Sequence, residues 1–460
     1  MQNLKRALLA RHLAMMSICA VIGAGYLLGA GAAINAAGPA VLISYALGGL
    51  VTILVVALLA EMASGMPAAG SFQFYVSLAH GGFAGFITGS IYWLAFLIGP
   101  ATEAIVAGEI LHSWFPAVPN WAFYLLIAAL VVAVNGAGVL LFGEAEFWLG
   151  MIKTLALVAF ILVGAAALLG PTGTLGGLSG INALGAGAAD GIGASSGWGG
   201  FAPMGLAGIL SAMMIVIFAY GGAEAIGMAS EESLRPEKDI PWALISSTLA
   251  IVALYMISTA VLVSILPWSQ AGISTSPYTD AFRILLGPGA AIAMNFVVLT
   301  AALSTIGMGV YATSRVLFSL SRDGYVPSAF SQVGSAGTPL PSIAASGMVL
   351  FLGALVFYLF PAFAYLWLAS LSGFGFLFSW LMIALSQPKL HSILQESNPN
   401  KSAWKAPFFP HLQRLAVVLM LAIFAAQALI PSGRIVLLSG AGWLVAASIY
   451  YLAAFKRGFK

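Results

Sequence analysis

The sequence predicts an all-α integral membrane protein with twelve transmembrane helices. Composition, the spacing of its apolar runs and the placement of its basic residues carry that prediction. Of 460 residues, 61% are hydrophobic and only 7% are charged, whereas a soluble globular chain carries about a quarter charged residues. At about 20 apolar residues per crossing of a hydrocarbon core roughly 30 Å thick, this length holds about a dozen spans and leaves little room for an enzyme domain. The one cysteine, Cys19, lies in an apolar run, so no intramolecular disulfide forms and no zinc site rests on cysteine.

The stretch from Met1 to Arg11 is short and basic, runs straight into a span and lacks a small-residue cleavage site, so it reads as a cytoplasmic tail. Apolar runs bounded by polar or Gly/Pro clusters then place spans at Leu13–Ala36, Pro39–Met62, Phe83–Leu111, Trp121–Val139, Glu146–Leu169 and Met204–Ala229. Six more fall at Pro241–Leu266, Gly289–Leu320, Pro341–Leu359, Tyr365–Leu385, Leu412–Ile430 and Ile435–Ala454. The third and eighth are long enough to tilt strongly. With the N-terminus inside, all but two of the 17 Lys and Arg residues fall on the cytoplasmic side, the exceptions being Arg283 and Arg434. Basic residues near span ends are retained in the cytoplasm, so this asymmetry orients the chain and favours an even number of spans. Pro171–Ala202 contains no Lys or Arg and reads as an external loop. The net charge of +3 belongs to this topology and implies no nucleic-acid partner. Trp114, Trp121 and Trp268 fit an aromatic belt. His12, His80, His112, His391 and His411 fall at span ends without ligand spacing, which reads as interfacial and gives no metal site.

Two spans look broken. The first contains Ile22-Gly23-Ala24-Gly25 near mid-bilayer, and the sixth contains Phe218-Ala219-Tyr220-Gly221-Gly222-Ala223-Glu224. Broken backbone at membrane depth is tolerated where it lines a cavity, and paired breaks in corresponding helices of two five-helix sets mark a midplane site. The chemistry suits a zwitterion. Free N–H groups around Ala24, Gly25 and Tyr26 favour a carboxylate, and freed carbonyls near Ile22, Phe218 and Ala219 accept from an ammonium. Close helix packing through Gly25-x-x-x-Gly29 is the competing reading of the same glycines.

At these residues the sequence resembles the amino acid–polyamine–organocation superfamily, and within it the amino acid transporter family of permeases. The resemblance is densest over Ile22 to Gly31, then Ala37-Gly38-Pro39, Glu61-Met62, Pro67, Gly70-Ser71-Phe72 and Tyr75. It continues through Phe142-Gly143-Glu144-Ala145-Glu146-Phe147-Trp148 with Lys153, Gly222-Ala223-Glu224 with Glu232-Ser233, Pro236 and Ile240-Pro241, and Tyr311, Ser314-Arg315, Ser319 and Asp323-Gly324. It implies a LeuT-like fold: a cytoplasmic tail over 1–12, a first inverted repeat over 13–170, the external loop 171–202, and a second repeat over 203–387. A cytoplasmic loop over 388–411, two accessory helices over 412–455 and a tail over 456–460 complete it. The resemblance also implies a bacterial plasma membrane with both termini cytoplasmic, and alternating access around the broken helices. By it, Ile22, Gly23, Ala24 and Gly25 hold a substrate α-carboxylate, Phe218 closes as a lid, the backbone of Phe218, Ala219 and Tyr220 takes the amine, and Gly221 and Gly222 complete the substrate-binding set. Tyr26, Gly221 and Gly307 depart from the family pattern toward fewer polar groups around the side-chain pocket, which favours a neutral or apolar amino acid.

Ionisable groups at membrane depth are functional candidates. Lys153 lies where sodium-coupled relatives hold sodium, so by the resemblance its ammonium replaces that ion, with the proton as coupling ion and no sodium site or other cofactor. Snorkelling to the interface is the alternative. Glu224 follows the second break and either relays a proton or caps freed backbone. Glu103, after the Gly99-Pro100 kink, reaches a substrate ammonium or a helix neighbour, and Glu61 is a gate or a solvated helix end. Proton-coupled amino-acid uptake leads these readings. Exchange of an amino acid for an amine shares the fold, and a channel needs a continuous polar row that the sequence lacks. Neither a catalytic constellation nor a nucleotide-binding loop is present.

Overall fold

The computed structural model describes residues 4–169, 199–271, 276–359, 361–397 and 404–456, so residues 171–198 of the expected external loop, with Lys401, Arg457 and Lys460, lie outside the described residues. The chain runs through α1 (Ala10–Val21), α2 (Ala24–Leu27), α3 (Gly29–Ala37), α4 (Val41–Gly65), α5 (Phe72–His80), α6 (Gly82–Trp114), α7 (Asn120–Ala137) and α8 (Val139–Leu169). Then come α9 (Gly205–Tyr220), a 3-10 helix over Ala223–Glu232, α10 (Pro236–Ile265), α11 (Pro277–Leu286), α12 (Pro288–Arg322), α13 (Leu340–Leu359), α14 (Pro361–Ser397), α15 (His411–Leu429) and α16 (Pro431–Lys456). Described strands are absent apart from an isolated bridge between Leu8 and Ser233. In lipid, only helices and closed barrels satisfy every backbone group internally, and an apolar chain of this kind takes the first route.

Eleven helical stretches among the described residues are long and apolar enough to cross a membrane. Leu340–Leu350, within α13, stands apart from these as a shorter apolar helix. Three expectations need correction. The helix α8 starts at Val139 rather than near Glu146, because a single glycine, Gly138 at φ +137°, turns the chain out of α7. The helix α14 runs on to Ser397, so the loop expected to begin at residue 388 is helical at first. Its extension is held in place: Gln387 and His391 bond Glu61 of α4 at 2.8 and 2.5 Å, and Lys389 donates to Ala79 O of α5 at 2.9 Å. Glu61 is therefore a buried anchor between helices rather than a solvated helix end. Finally, His12 is fully buried rather than interfacial, against Glu144 at 3.0 Å.

The two spans that carry the breaks are the most buried of these eleven. α1 packs on α8, α10 and α12, while α6 lies against α12 and α14. α15 and α16 lie at the edge, against α14, and bury few residues.

Candidate transport site

The two breaks touch. Ile22 leaves helical geometry (φ −78°, ψ 90°) while its N–H still donates to Ile18 O at 2.8 Å, and the chain restarts as α2. In the other helix Gly221 turns out (φ −57°, ψ 140°) and Gly222 adopts the left-handed φ of +104°. Only glycine suits that position: a Cβ on Gly222 would lie 2.4 Å from Ala20 O at the end of α1.

Several freed carbonyls meet donors from neighbouring helices, as buried backbone needs partners. Lys153 of α8 is fully buried and donates to Cys19 O at 3.0 Å, Ile22 O at 2.5 Å and Ser304 Oγ at 3.1 Å. That placement removes the snorkelling reading, because the amine turns inward onto backbone. Tyr255 of α10 bridges both breaks, its hydroxyl lying 3.0 Å from Val21 O and 3.3 Å from Ala219 O. Phe218 O is taken by Gly221 N–H at 3.1 Å.

On the donor side, Gly25 N–H donates to Glu103 Oε1 at 2.5 Å. A Cβ on Gly23 would lie 2.4 Å from Thr305 Oγ1 and 2.9 Å from Glu103 Oε1. The Phe218 ring lies between two glycines: a Cβ on Gly25 would come within 2.8 Å of it, and one on Gly99 within 2.9 Å. Between α2, α6, α9 and α12 a cavity of about 20 Å³ remains, lined by Gly25, Tyr26, Phe96, Gly99, Pro100, Glu103, Phe218, Thr305 and Phe376 among others. That is room for about one water. The arrangement is closed, with the Phe218 ring among its walls.

Residues 12–459 match the family model described as amino acid permease. The chain belongs to the amino acid permease family. The permease is 35% identical to the uncharacterized amino acid permease YtnA of Bacillus subtilis, over 99% of this chain and 96% of the relative. It is likewise 35% identical to the gamma-aminobutyric acid permease of that bacterium, over 94% and 90% of the two chains. With the aromatic amino acid transport protein AroP of Escherichia coli K12 it shares 33% identity, over 98% and 96%. It is a multi-pass membrane protein of a family of transporters rather than enzymes.

The permease places the other expected residues as follows. Tyr26 stacks on Tyr255 with ring centroids 3.4 Å apart, and its hydroxyl bonds Ser258 at 2.6 Å and Tyr278 at 2.5 Å. Tyr220 donates to Tyr45 O at 3.1 Å. Glu224 accepts from Gly222 N–H at 3.2 Å and from Trp380 Nε1 at 2.8 Å, which caps the second break. A Cβ on Gly221 would meet the Phe376 ring at 2.3 Å. Gly307 faces away from the cavity, its Cβ position 2.8 Å from Glu146 Oε1, because two residues of helix rotate it off the face that Thr305 presents.

Sequence reasoning passed over Glu146, Tyr255, Ser304, Thr305, Phe376 and Trp380. For Glu146 a signal existed: it precedes Lys153 by two helical turns on one face. Ser304 and Tyr255 are ordinary residues of apolar helices, and only the fold brings them to the breaks.

Proposed function

We propose that this permease is a proton-coupled symporter for a neutral or apolar amino acid, working by alternating access in a plasma membrane with both termini cytoplasmic. The transport core consists of the two five-helix repeats, with α15 and α16 as accessory helices. The observation that carries this reading is the Lys153 ammonium seated on the carbonyls of Cys19 and Ile22, at the very break that is to bind substrate. Protonation of Lys153 and the shape of that break are then one equilibrium. One pKa unit between two conformations corresponds to about 1.4 kcal/mol, enough to bias a transport cycle.

The substrate carboxylate is received by the N–H groups of Gly23, Ala24 and Gly25, displacing Glu103 from Gly25. The ammonium takes carbonyls of Ile22 and Phe218 to Gly222, with the displaced Glu103 within reach. Phe218 closes over the pair. The Phe96, Phe218 and Phe376 rings lining the cavity support an apolar side chain, as do relatives named for aromatic amino acid transport. Glu224 serves the second break as its cap.

The test uses purified protein in liposomes with L-phenylalanine as the probe. Wild type accumulates it under an inward proton gradient without sodium. Lys153→Met keeps most of the stem's volume but loses uphill uptake, leaving exchange or downhill flux. Undiminished accumulation by this variant would return Lys153 to a structural role, and accumulation that needs internal substrate in the wild type would make the protein an exchanger.

A further inference from the structure

Glu146 precedes Lys153 on α8, and both side chains are buried to 2% exposure or less. Between them stands Ser304 of α12, its Oγ 2.5 Å from Glu146 Oε2 and 3.1 Å from Lys153 Nζ. The hydrogens around this hydroxyl close in either of two arrangements, one with an ammonium and a carboxylate and one with an amine and a carboxylic acid. In the first, Lys153 donates its three N–H groups to the two carbonyls and to Ser304. Ser304 accepts one of them and donates its single hydrogen to the carboxylate. Gly307, on the same helix, seats that carboxylate against the backbone, since any Cβ there would collide with Glu146 Oε1. The other titratable group at the cluster is Cys19, whose Sγ lies 3.0 Å from Glu146 O. Toward the start of α8 follow Glu144, His12 and Arg11, the first and last of which are partly exposed.

We propose that Glu146 is a second station for the coupling proton, joined to Lys153 through the Ser304 hydroxyl, so that the two residues share one proton and remain a net-neutral pair. This rests on the symporter reading above. In the transfer, an Nζ–H bond of Lys153 breaks and its electron pair stays on nitrogen. Ser304 Oγ takes that proton and passes its own to Glu146 Oε2, so ammonium and carboxylate become amine and carboxylic acid. Total charge is unchanged, so no lone charge is stranded in a low-dielectric interior, where it is costly. The amine then accepts from the Ser304 hydroxyl and keeps its two hydrogens on the carbonyls of Cys19 and Ile22, but those bonds lose the charge that made them strong. The transfer therefore loosens the substrate-binding segment. It also moves the proton two turns closer to the start of α8 and the Arg11–Glu144–His12 cluster, from which it leaves.

The experiment compares Lys153→Met, Glu146→Gln and the double variant in the full chain, in liposomes, with L-phenylalanine accumulation under a proton gradient and L-phenylalanine counterflow from about pH 5 to about pH 9. Glu146→Gln is expected to lose accumulation at least about tenfold more than counterflow, with a flattened pH profile. The double variant is expected to recover counterflow relative to either single one, because removing both partners strands no buried charge. Glu146→Gln with wild-type accumulation and pH profile, beside a Lys153→Met that has lost both, overturns the shared proton and leaves Lys153 as the sole carrier. Lys153→Met with full accumulation removes Lys153 as a carrier and overturns the shared proton with it, whereas wild-type accumulation that needs internal substrate overturns the symporter reading itself. Should Glu146→Gln not fold, Ser304→Ala keeps both charges and cuts the bridge: a pH profile displaced by about one unit supports the relay, and an unchanged profile overturns it.

Discussion

Phe218 and the two glycines that flank its ring show how little freedom single positions have here. The ring lies where a side chain on Gly25 or Gly99 would be. Gly25→Val is therefore expected to abolish L-phenylalanine binding, measured by thermal shift, while the protein still elutes as a folded species in detergent; unchanged binding would remove this segment from the site. If Phe218 is the lid, truncation and replacement must differ. Phe218→Ala should lower uptake at least about tenfold more than Phe218→Trp, since the loss of an aromatic contact with its buried area exceeds the cost of a reshaped ring, and equal effects of both substitutions would end the lid assignment.

At the scale of elements, the permease handles its breaks by lending them partners from packed neighbours. Lys153 on α8 and Tyr255 on α10 supply donors to the first break, while Glu224 and Trp380 satisfy the second. The second break also depends on the backbone of Gly222 itself. Gly222→Ala places a Cβ in left-handed geometry, costing about 1–2 kcal/mol from the backbone alone, and adds the collision with Ala20 O. Its thermal midpoint in detergent should fall by several degrees, whereas Gly289→Ala, in open space on α12, should leave the midpoint unmoved.

For the molecule as a whole, a buried ion pair joins segments far apart in the chain. Arg315 of α12 donates to Glu232 Oε1 at 2.8 Å, Tyr311 donates to the same carboxylate, and the Glu232 carbonyl accepts from Ala7 and Leu8 N–H at 3.0 and 3.1 Å. This knot ties the segment before α1 to the end of the sixth span and to α12. Removing one partner of a buried pair costs about 3–5 kcal/mol, so Glu232→Gln should loosen the knot. The single cysteine reports it: Cys19 is fully buried, and a membrane-permeant maleimide should label it faster in Glu232→Gln than in wild type. Equal labelling rates would show that the knot does not restrict access to Cys19.

How much of this was legible in the sequence depends on the range of the physics involved. Membrane residence, helical class, most span boundaries, the two breaks and the family follow from composition, apolar run length and local Gly-rich motifs, because a bilayer imposes its demands on each segment separately. The start of α8 and the end of α14 already needed more, since a lone glycine at Gly138 sets the one and contacts with Glu61 hold the other. What the tertiary structure alone decided is which donors meet the freed carbonyls. The Lys153–Ser304–Glu146 bridge, the Tyr255 clasp and the Glu103 carboxylate on Gly25 N–H each join residues 78 or more apart in at least one contact. Such pairings arise from helices packing side by side, and no local pattern in the chain encodes them.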